Sequence, residues 1–114
     1  MSASWDGTAL YLAAGNTVIN GQSCYGNISA LNPATGAFVW RTCIAGFLTG
    51  GMTEVPGMLI EGYGAGGKLA FLNTANGATI STFTASGMIE GEVTVRNGIV
   101  YVPLASGNVV ALGQ

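Results

Sequence analysis

Two nearly identical turn sequences, NPATG at residues 32–36 and NTANG at residues 73–77, lie 41 residues apart in this chain. Other residues match at the same spacing: Gly26 and Gly67, Leu31 and Leu72, Gly46 and Gly87, Thr53 and Thr94, and Gly57 and Gly98. A repeat of this length is typical of proteins that stack one small unit of secondary structure on the next.

Each repeat is predicted to contain four short strands, because apolar and β-branched segments alternate with turns rich in Gly, Pro and Asn. In the second repeat we expect strands a to d at residues 49–55, 58–63, 68–73 and 78–84. Four antiparallel strands per repeat predict an all-β fold of β-propeller blades, with strand a lining the central channel. The chain is then one propeller segment, with blades at about 2–45 and 46–86 and a partial blade at about 87–114.

The two ends of the sequence fall inside the repeat. Residues 2–5 match the end of strand a, and a third copy, GNVVALG from Gly107, ends after strand c. We therefore expect an incomplete ring, corresponding to the C-terminal part of a larger propeller. Open strand edges and apolar blade faces favour association, so the expected partners are further copies of the chain, the missing blades, or another protein.

The composition excludes several classes of function. Charged residues make up 7% of the chain and the net charge is -2, so no basic patch for nucleic acid is expected. The chain contains no His, which excludes Ser-His and Cys-His nucleophile pairs and most sets of metal ligands. We expect no catalytic residues and no cofactor. No apolar run approaches the roughly 18 residues of a membrane span.

The two cysteines are predicted to form a disulfide. Cys24 ends an insertion in the b–c connection of the first repeat, and Cys43 follows strand d. If strands c and d form a hairpin about Ala34, the two cysteines become cross-strand neighbours. Such a bond implies a secreted, periplasmic or cell-envelope location. The alternative is a pair of buried free thiols.

The insertion is also the main candidate for a binding site. The b–c and d–a connections share one face of a propeller, so residues 16–25 and 43–47 should lie together. Loops on a rigid scaffold commonly bind partners. The candidate residues are Asn16, Asn20, Gln22, Tyr25 and Phe47. The alternative is a tolerated surface insertion in which Tyr25 and Phe47 only pack against the loop.

A weaker candidate is a cation site in the channel. Glu90 and Glu92 are two residues apart in the predicted strand a of the third repeat, so their side chains share a face. Together they could bind Ca²⁺ through oxygen. The alternative is that both carboxylates only face solvent in a wide channel.

The aromatic side chains divide into two predicted groups. Trp5, Tyr25, Phe47 and Tyr63 are expected at the surface, whereas Trp40, Phe71 and Tyr101 are expected between blades.

The segment GNISALNPATGAFVW at residues 26–40 resembles the repeat of quinoprotein-type, PQQ-like propellers, whose blades have a Gly, an Ala-Leu-Asp/Asn, a Thr-Gly and a Trp at these places. The second repeat departs from it at Asn76 and Ser81. The resemblance implies a ring of about seven or eight blades, of which this chain holds about two and a half.

The same resemblance implies two possible functions, and the abrupt ends of the sequence at Met1 and Gln114 favour a third. The first is a non-catalytic binding or scaffolding segment, similar to the family's envelope-assembly propellers. The second is a fragment of a quinone-dependent dehydrogenase, although the family's adjacent Cys pair has no match here and Asp6 falls in an a–b turn. The third is a structural fragment that assembles with itself into a ring.

Overall fold

The computed structural model describes residues 2–113, which form thirteen strands and no helix. The first blade is a four-stranded sheet in the spatial order β1, β2, β5, β6. Two further strands, β3 and β4, pair with each other between β2 and β5 in the chain. The bounds are β1 (Ser2–Trp5), β2 (Leu10–Ala14), β3 (Thr17–Ile19), β4 (Gln22–Cys24), β5 (Gly26–Leu31) and β6 (Phe38–Ile44).

The second and third blades follow the same antiparallel order. The second consists of β7 (Leu48–Val55), β8 (Met58–Tyr63), β9 (Lys68–Asn73) and β10 (Thr79–Thr84). The third contains β11 (Thr94–Arg96), β12 (Ile99–Pro103) and β13 (Val109–Leu112). The all-β fold of four-stranded blades is confirmed, and the strands predicted in the second repeat agree to within one residue. The blades of residues 2–113 do not close a ring.

The repeated turn has the same geometry in both copies. The Asn32 side-chain oxygen accepts the Ala34 N–H at 2.9 Å, and the Asn73 oxygen accepts the Ala75 N–H at 2.8 Å. The final glycines of the two turns have φ angles of 75° and 74°. Asn caps the turn and Gly adopts the left-handed backbone, so the same five positions follow strand c in the first and second blades.

Two hydrophobic cores lie between neighbouring blades. Alternate side chains of β8 point to opposite faces of the second blade, so Leu59 enters the first core and Ile60 enters the second. The first core joins the first and second blades through Tyr11, Ala13, Ile28, Ala30, Ile44, Met52, Leu59 and Leu72. The second joins the second and third blades through Ile60, Leu69, Ala85, Ile89, Val93, Val102 and Leu104.

Side-chain hydrogen bonds cross the same two interfaces. Ser4 Oγ donates to Glu54 Oε1 at 2.6 Å, and Trp40 Nε1 donates to the Thr74 carbonyl at 2.8 Å. Thr42 Oγ1 donates to the Gly77 carbonyl, and Thr53 Oγ1 donates to the Val93 carbonyl, both at 2.6 Å. Each bond fixes the position of one blade relative to the next.

The predicted aromatic positions are partly correct. Trp40 and Phe71 lie between blades as expected. Tyr63 was expected at the surface, but it is half-buried against the first core because it shares a face of β8 with Leu59. Tyr101 was expected between blades, but it is exposed on the face of the third blade that points away from the second.

Residues 2–113 include no helix with the length and apolarity needed to cross a membrane.

Candidate functional site

The inserted hairpin β3–β4 is tied to the first blade by a disulfide between Cys24 and Cys43, whose Cα atoms are 5.4 Å apart. The predicted disulfide is therefore confirmed. The expected cross-strand pairing is wrong, because Cys43 on β6 pairs with Asn27 and Cys24 belongs to β4, where it pairs with Thr17. The bond consequently links two different sheets.

The hairpin turn explains why the insertion folds as two strands. Ile19 pairs with Gln22, which leaves Asn20 and Gly21 as the two-residue turn. Their φ angles are 51° and 80°. Asn-Gly with positive φ at both residues is the favoured connection for a tight hairpin. Asn20 and Gln22 are therefore exposed at the tip of the hairpin.

The hairpin covers part of the first blade. The Asn27 amide donates to the Gly15 carbonyl at 2.9 Å, and the Ser29 hydroxyl donates to the Asn27 oxygen at 3.2 Å. Arg41 Nη2 donates to Thr17 Oγ1 at 3.5 Å. Asn27 and Ser29 are consequently buried, although they point away from the second blade.

An open cleft of about 540 Å³ lies along the hairpin. Its lining residues are Asn16, Thr17, Val18, Ser23, Cys24 and Tyr25. Tyr25 is the most exposed large apolar side chain of the described residues, at 70%. Of the predicted binding residues, Asn16 and Tyr25 line this cleft, whereas Asn20 and Gln22 lie at the hairpin tip.

Phe47 lies on a segment that contacts the base of the hairpin. A Cβ built on Gly26 would lie 2.8 Å from the Gly46 carbonyl oxygen, so the two backbones are in close contact. Tyr25 precedes one glycine, and Phe47 follows the other. Both aromatic side chains are exposed. The fold thus brings together the two segments that the sequence placed on one surface.

The predicted cation pair does not lie within a strand. Strand β11 begins at Thr94, and the preceding residues contribute only an isolated bridge between Ile89 and Leu104. Gly91 has a φ of 89°, which interrupts the extended backbone between Glu90 and Glu92. Their side chains are therefore not fixed on one face by strand geometry. No group of three or more His, Cys, Asp or Glu residues suitable for a metal ion occurs in the described part of the chain.

Asp6 forms a tight turn between β1 and β2, as expected. Its Oδ1 accepts the N–H groups of Thr8 and Ala9, both at 2.8 Å, and its Oδ2 accepts the Tyr11 hydroxyl at 2.6 Å. The Tyr11 bond and the backbone bonds lower the pKa of Asp6. Burial is the main cause that raises the pKa of the Tyr11 hydroxyl to about 12, and the hydrogen bond to Asp6 and the negative charge of Asp6 add to it. The arrangement stabilises the turn.

Glu61 is a buried carboxylate that sequence reasoning missed. It lies in the centre of β8, on the face that packs against the first blade, and its side chain is 1% exposed. Neither carboxylate oxygen accepts a well-formed hydrogen bond within the described residues, although the nearby Gly62 N–H partly offsets the rise in its pKa. Burial raises its pKa to about 8, and the Glu92 carboxylate adds to the shift. The repeat offered a signal, because Leu12 and Val102 occupy the same position in the other blades.

Solved structures share this fold at low sequence identity. BamB from Moraxella catarrhalis superposes with a TM-score of 0.77 at 18% identity, over 97% of this chain and 31% of that chain. The computationally designed Ika8 protein gives 0.75 at 10% identity, over 98% of this chain and 32% of that chain. The designed Ika4 protein gives 0.67 at 10% identity, over 98% and 89% of the two chains.

These comparisons establish the fold alone. The described residues have a β-propeller fold. The chain spans about a third of the length of BamB and of Ika8. No protein-family model and no curated protein sequence matches it.

Proposed function

We propose that this chain is a non-catalytic propeller segment that binds or scaffolds other proteins outside the cytoplasm. The observation that supports this most is the β3–β4 hairpin, which a disulfide ties to β6 beside an open cleft. Exposed aromatic side chains on a restrained backbone lose little conformational entropy when a partner binds. The disulfide fits a secreted or cell-envelope location.

The chemistry of this surface indicates the kind of partner. Residues 16–25 contain no charged side chain. Apolar contacts to Val18 and Tyr25, with hydrogen bonds to the amides of Asn16, Asn20 and Gln22, would therefore provide recognition. A cleft of about 540 Å³ has the size of a small-ligand pocket, which suits one or two side chains of a protein partner. Such binding should depend little on salt.

The proposal can be tested by site-specific photo-crosslinking in an envelope extract of the source organism. A crosslinking amino acid replaces Tyr25 in one variant and Ile80, an exposed residue of β10, in a control. We expect a discrete adduct from position 25 that persists at high salt and disappears in the Cys24→Ser/Cys43→Ser variant. Identical adducts from positions 25 and 80, or none from position 25, would contradict the proposal.

The dehydrogenase alternative is tested separately on the full parent protein. The parent is incubated with the quinone, Ca²⁺ and an electron-acceptor dye. Reduction of the dye would overturn the proposal of a non-catalytic role.

A further inference from the structure

The first and third blades each have an apolar face that no other blade covers among residues 2–113. We call these the first-blade end face and the third-blade end face. The first consists of Trp5, Leu10, Leu31 and Phe38, and the second of Ile99, Tyr101, Pro103, Val109 and Ala111. Unpaired apolar sheet faces are typical of interaction surfaces.

The third-blade end face is equivalent to a surface that is buried elsewhere in the same chain. Tyr101 pairs with Thr94 and Ala111 across its sheet. In the first blade, Tyr11 pairs with Ser4 and Ala30 in the same way. Tyr11 and Ala30 are buried against the second blade. The third blade therefore presents the surface on which a next blade packs.

The first-blade end face is equivalent to the opposite side of such an interface. The strand register aligns Trp5, Leu10, Leu31 and Phe38 in one row across all four strands. The corresponding row of the second blade contains Leu59 and Leu72, which are fully buried against the first blade. At the other end of β5, Asn27 and Ser29 are buried and Asn27 donates to the carbonyl of Gly15, just before the hairpin, whereas Trp5 and Phe38 of this row are exposed.

We propose that the third-blade end face of one copy packs on the first-blade end face of a second copy, head to tail. A second copy is the expected partner because the two end faces are equivalent to the two sides of the interface between blades. The chain already forms this interface twice. This inference deepens the scaffolding part of the proposed function, on which it rests. A head-to-tail contact between unlike faces produces a ring when the rotation closes.

One polar contact can be assigned in advance. Ser4 and Thr53 occupy equivalent positions, and both hydroxyls donate to an acceptor on the next blade. Thr94 is the third residue at this position, and it is exposed. The Thr94 hydroxyl should therefore donate to strand β1 of the second copy.

The test uses light scattering after size-exclusion chromatography of the oxidised chain and four glutamate variants, one of which, Val18→Glu, alters the hairpin. Trp5→Glu blocks the first-blade end face, and Val109→Glu blocks the third-blade end face. Ile80→Glu is the control on the outer strand of the second blade. The three side chains have similar exposures of 55%, 62% and 55%, so none of the substitutions removes a buried group. Thermal melting of each variant verifies its folding.

We expect the unmodified chain and Ile80→Glu to form oligomers, with a mass of two or more times the 11.5 kDa of one chain. Trp5→Glu and Val109→Glu should each lose association completely. An equimolar mixture of those two should double in mass, because each retains the face that the other lacks. A monomeric unmodified chain, or a mixture that stays monomeric, would overturn the inference. Loss of association in a Val18→Glu variant alone would assign self-association to the hairpin instead and would also overturn it.

Discussion

The indole N–H of Trp40 donates to the backbone carbonyl of Thr74 at 2.8 Å, across the interface between the first and second blades. Trp40 lies on β6, and Thr74 follows β9 in the repeated turn. The Tyr11 ring packs against the Trp40 ring on the same side of the sheet, with the two ring centroids 6.1 Å apart. This tryptophan therefore connects the outer strand of one blade to the turn of the next.

Replacing Trp40 by Phe should destabilise the chain. The substitution removes the N–H and leaves the Thr74 carbonyl without this donor, which costs about 1–3 kcal/mol of unfolding free energy. Tyr25→Phe is the control for removing an aromatic hydrogen-bond donor, because Tyr25 is exposed and lies on neither end face, and it should alter unfolding by less than about 0.5 kcal/mol. Urea denaturation of both variants measures the difference. Equal effects would show that the inter-blade bond contributes nothing.

The two copies of the turn allow a matched glycine experiment. Gly36 and Gly77 have the same left-handed φ, but a Cβ at Gly36 meets nothing within 4 Å, whereas one at Gly77 would overlap the Trp40 ring and the Thr42 hydroxyl. Gly36→Ala should cost about 1–2 kcal/mol through backbone strain alone. Gly77→Ala should cost about 1–3 kcal/mol more through overpacking. Similar losses in urea denaturation would argue against a close fit between the blades.

The buried Glu61 predicts an unusual dependence of stability on pH. Its pKa in the folded protein is about 8, above the ordinary value of 4.5, so the folded state keeps a proton that the unfolded state releases. Unfolding free energy should be highest below pH 4.5 and should fall by at most roughly 1.4 kcal/mol per pH unit as the pH rises towards 8. Above pH 8 this contribution is constant. Chemical denaturation across this range measures the fall.

Two substitutions attribute that pH dependence to Glu61. Glu61→Gln keeps a neutral side chain of the same shape, so its unfolding free energy should change little between pH 5 and pH 8. Glu90→Gln removes an exposed carboxylate and should retain the fall seen in the unmodified chain. A Glu61→Gln variant with an unchanged pH profile would show that another group causes the effect.

The disulfide should stabilise the chain mainly by restricting its unfolded state. The two cysteines are 19 residues apart, and closing a loop of that size contributes about 3 kcal/mol. Cys24→Ser/Cys43→Ser should lose this amount in urea, and a reductant should produce the same loss in the unmodified chain. A reductant should have no effect on the double variant. Unchanged stability after both treatments would contradict this role.

The sequence predicted the repeated strands well because Gly, Pro and Asn mark every turn of the second repeat. The strands of that blade agree with the prediction to within one residue. The prediction failed where a strand is interrupted. Gly91 was treated as part of strand a, but its positive φ delays β11 until Thr94, so Glu90 and Glu92 precede the strand.

The candidate site was predicted in outline only. The spacing of Cys24 and Cys43 indicated a disulfide, but a register irregularity between Ala30 and Leu31 and the separate hairpin change the pairing of both cysteines. The hydrogen bond between the Asn27 amide and the Gly15 carbonyl, and the burial of Asn27, also could not be predicted, because they depend on where the insertion folds back. The alternation of side chains predicts which residues share a face of a strand. It gives no information about an insertion that has no counterpart in the other repeats.

The Asn side-chain hydrogen bonds of the repeated turn stay within one blade, whereas Trp40 and Thr42 donate to the carbonyls of this turn in the following blade. A tandem duplication in frame with the repeat would therefore supply a copy that already contains its own turn and both halves of a blade interface. Such a chain can gain whole repeats without requiring any new kind of contact between blades. Insertions of any other length would disturb the alignment of donors and acceptors between blades, so selection should favour changes in length that equal one repeat.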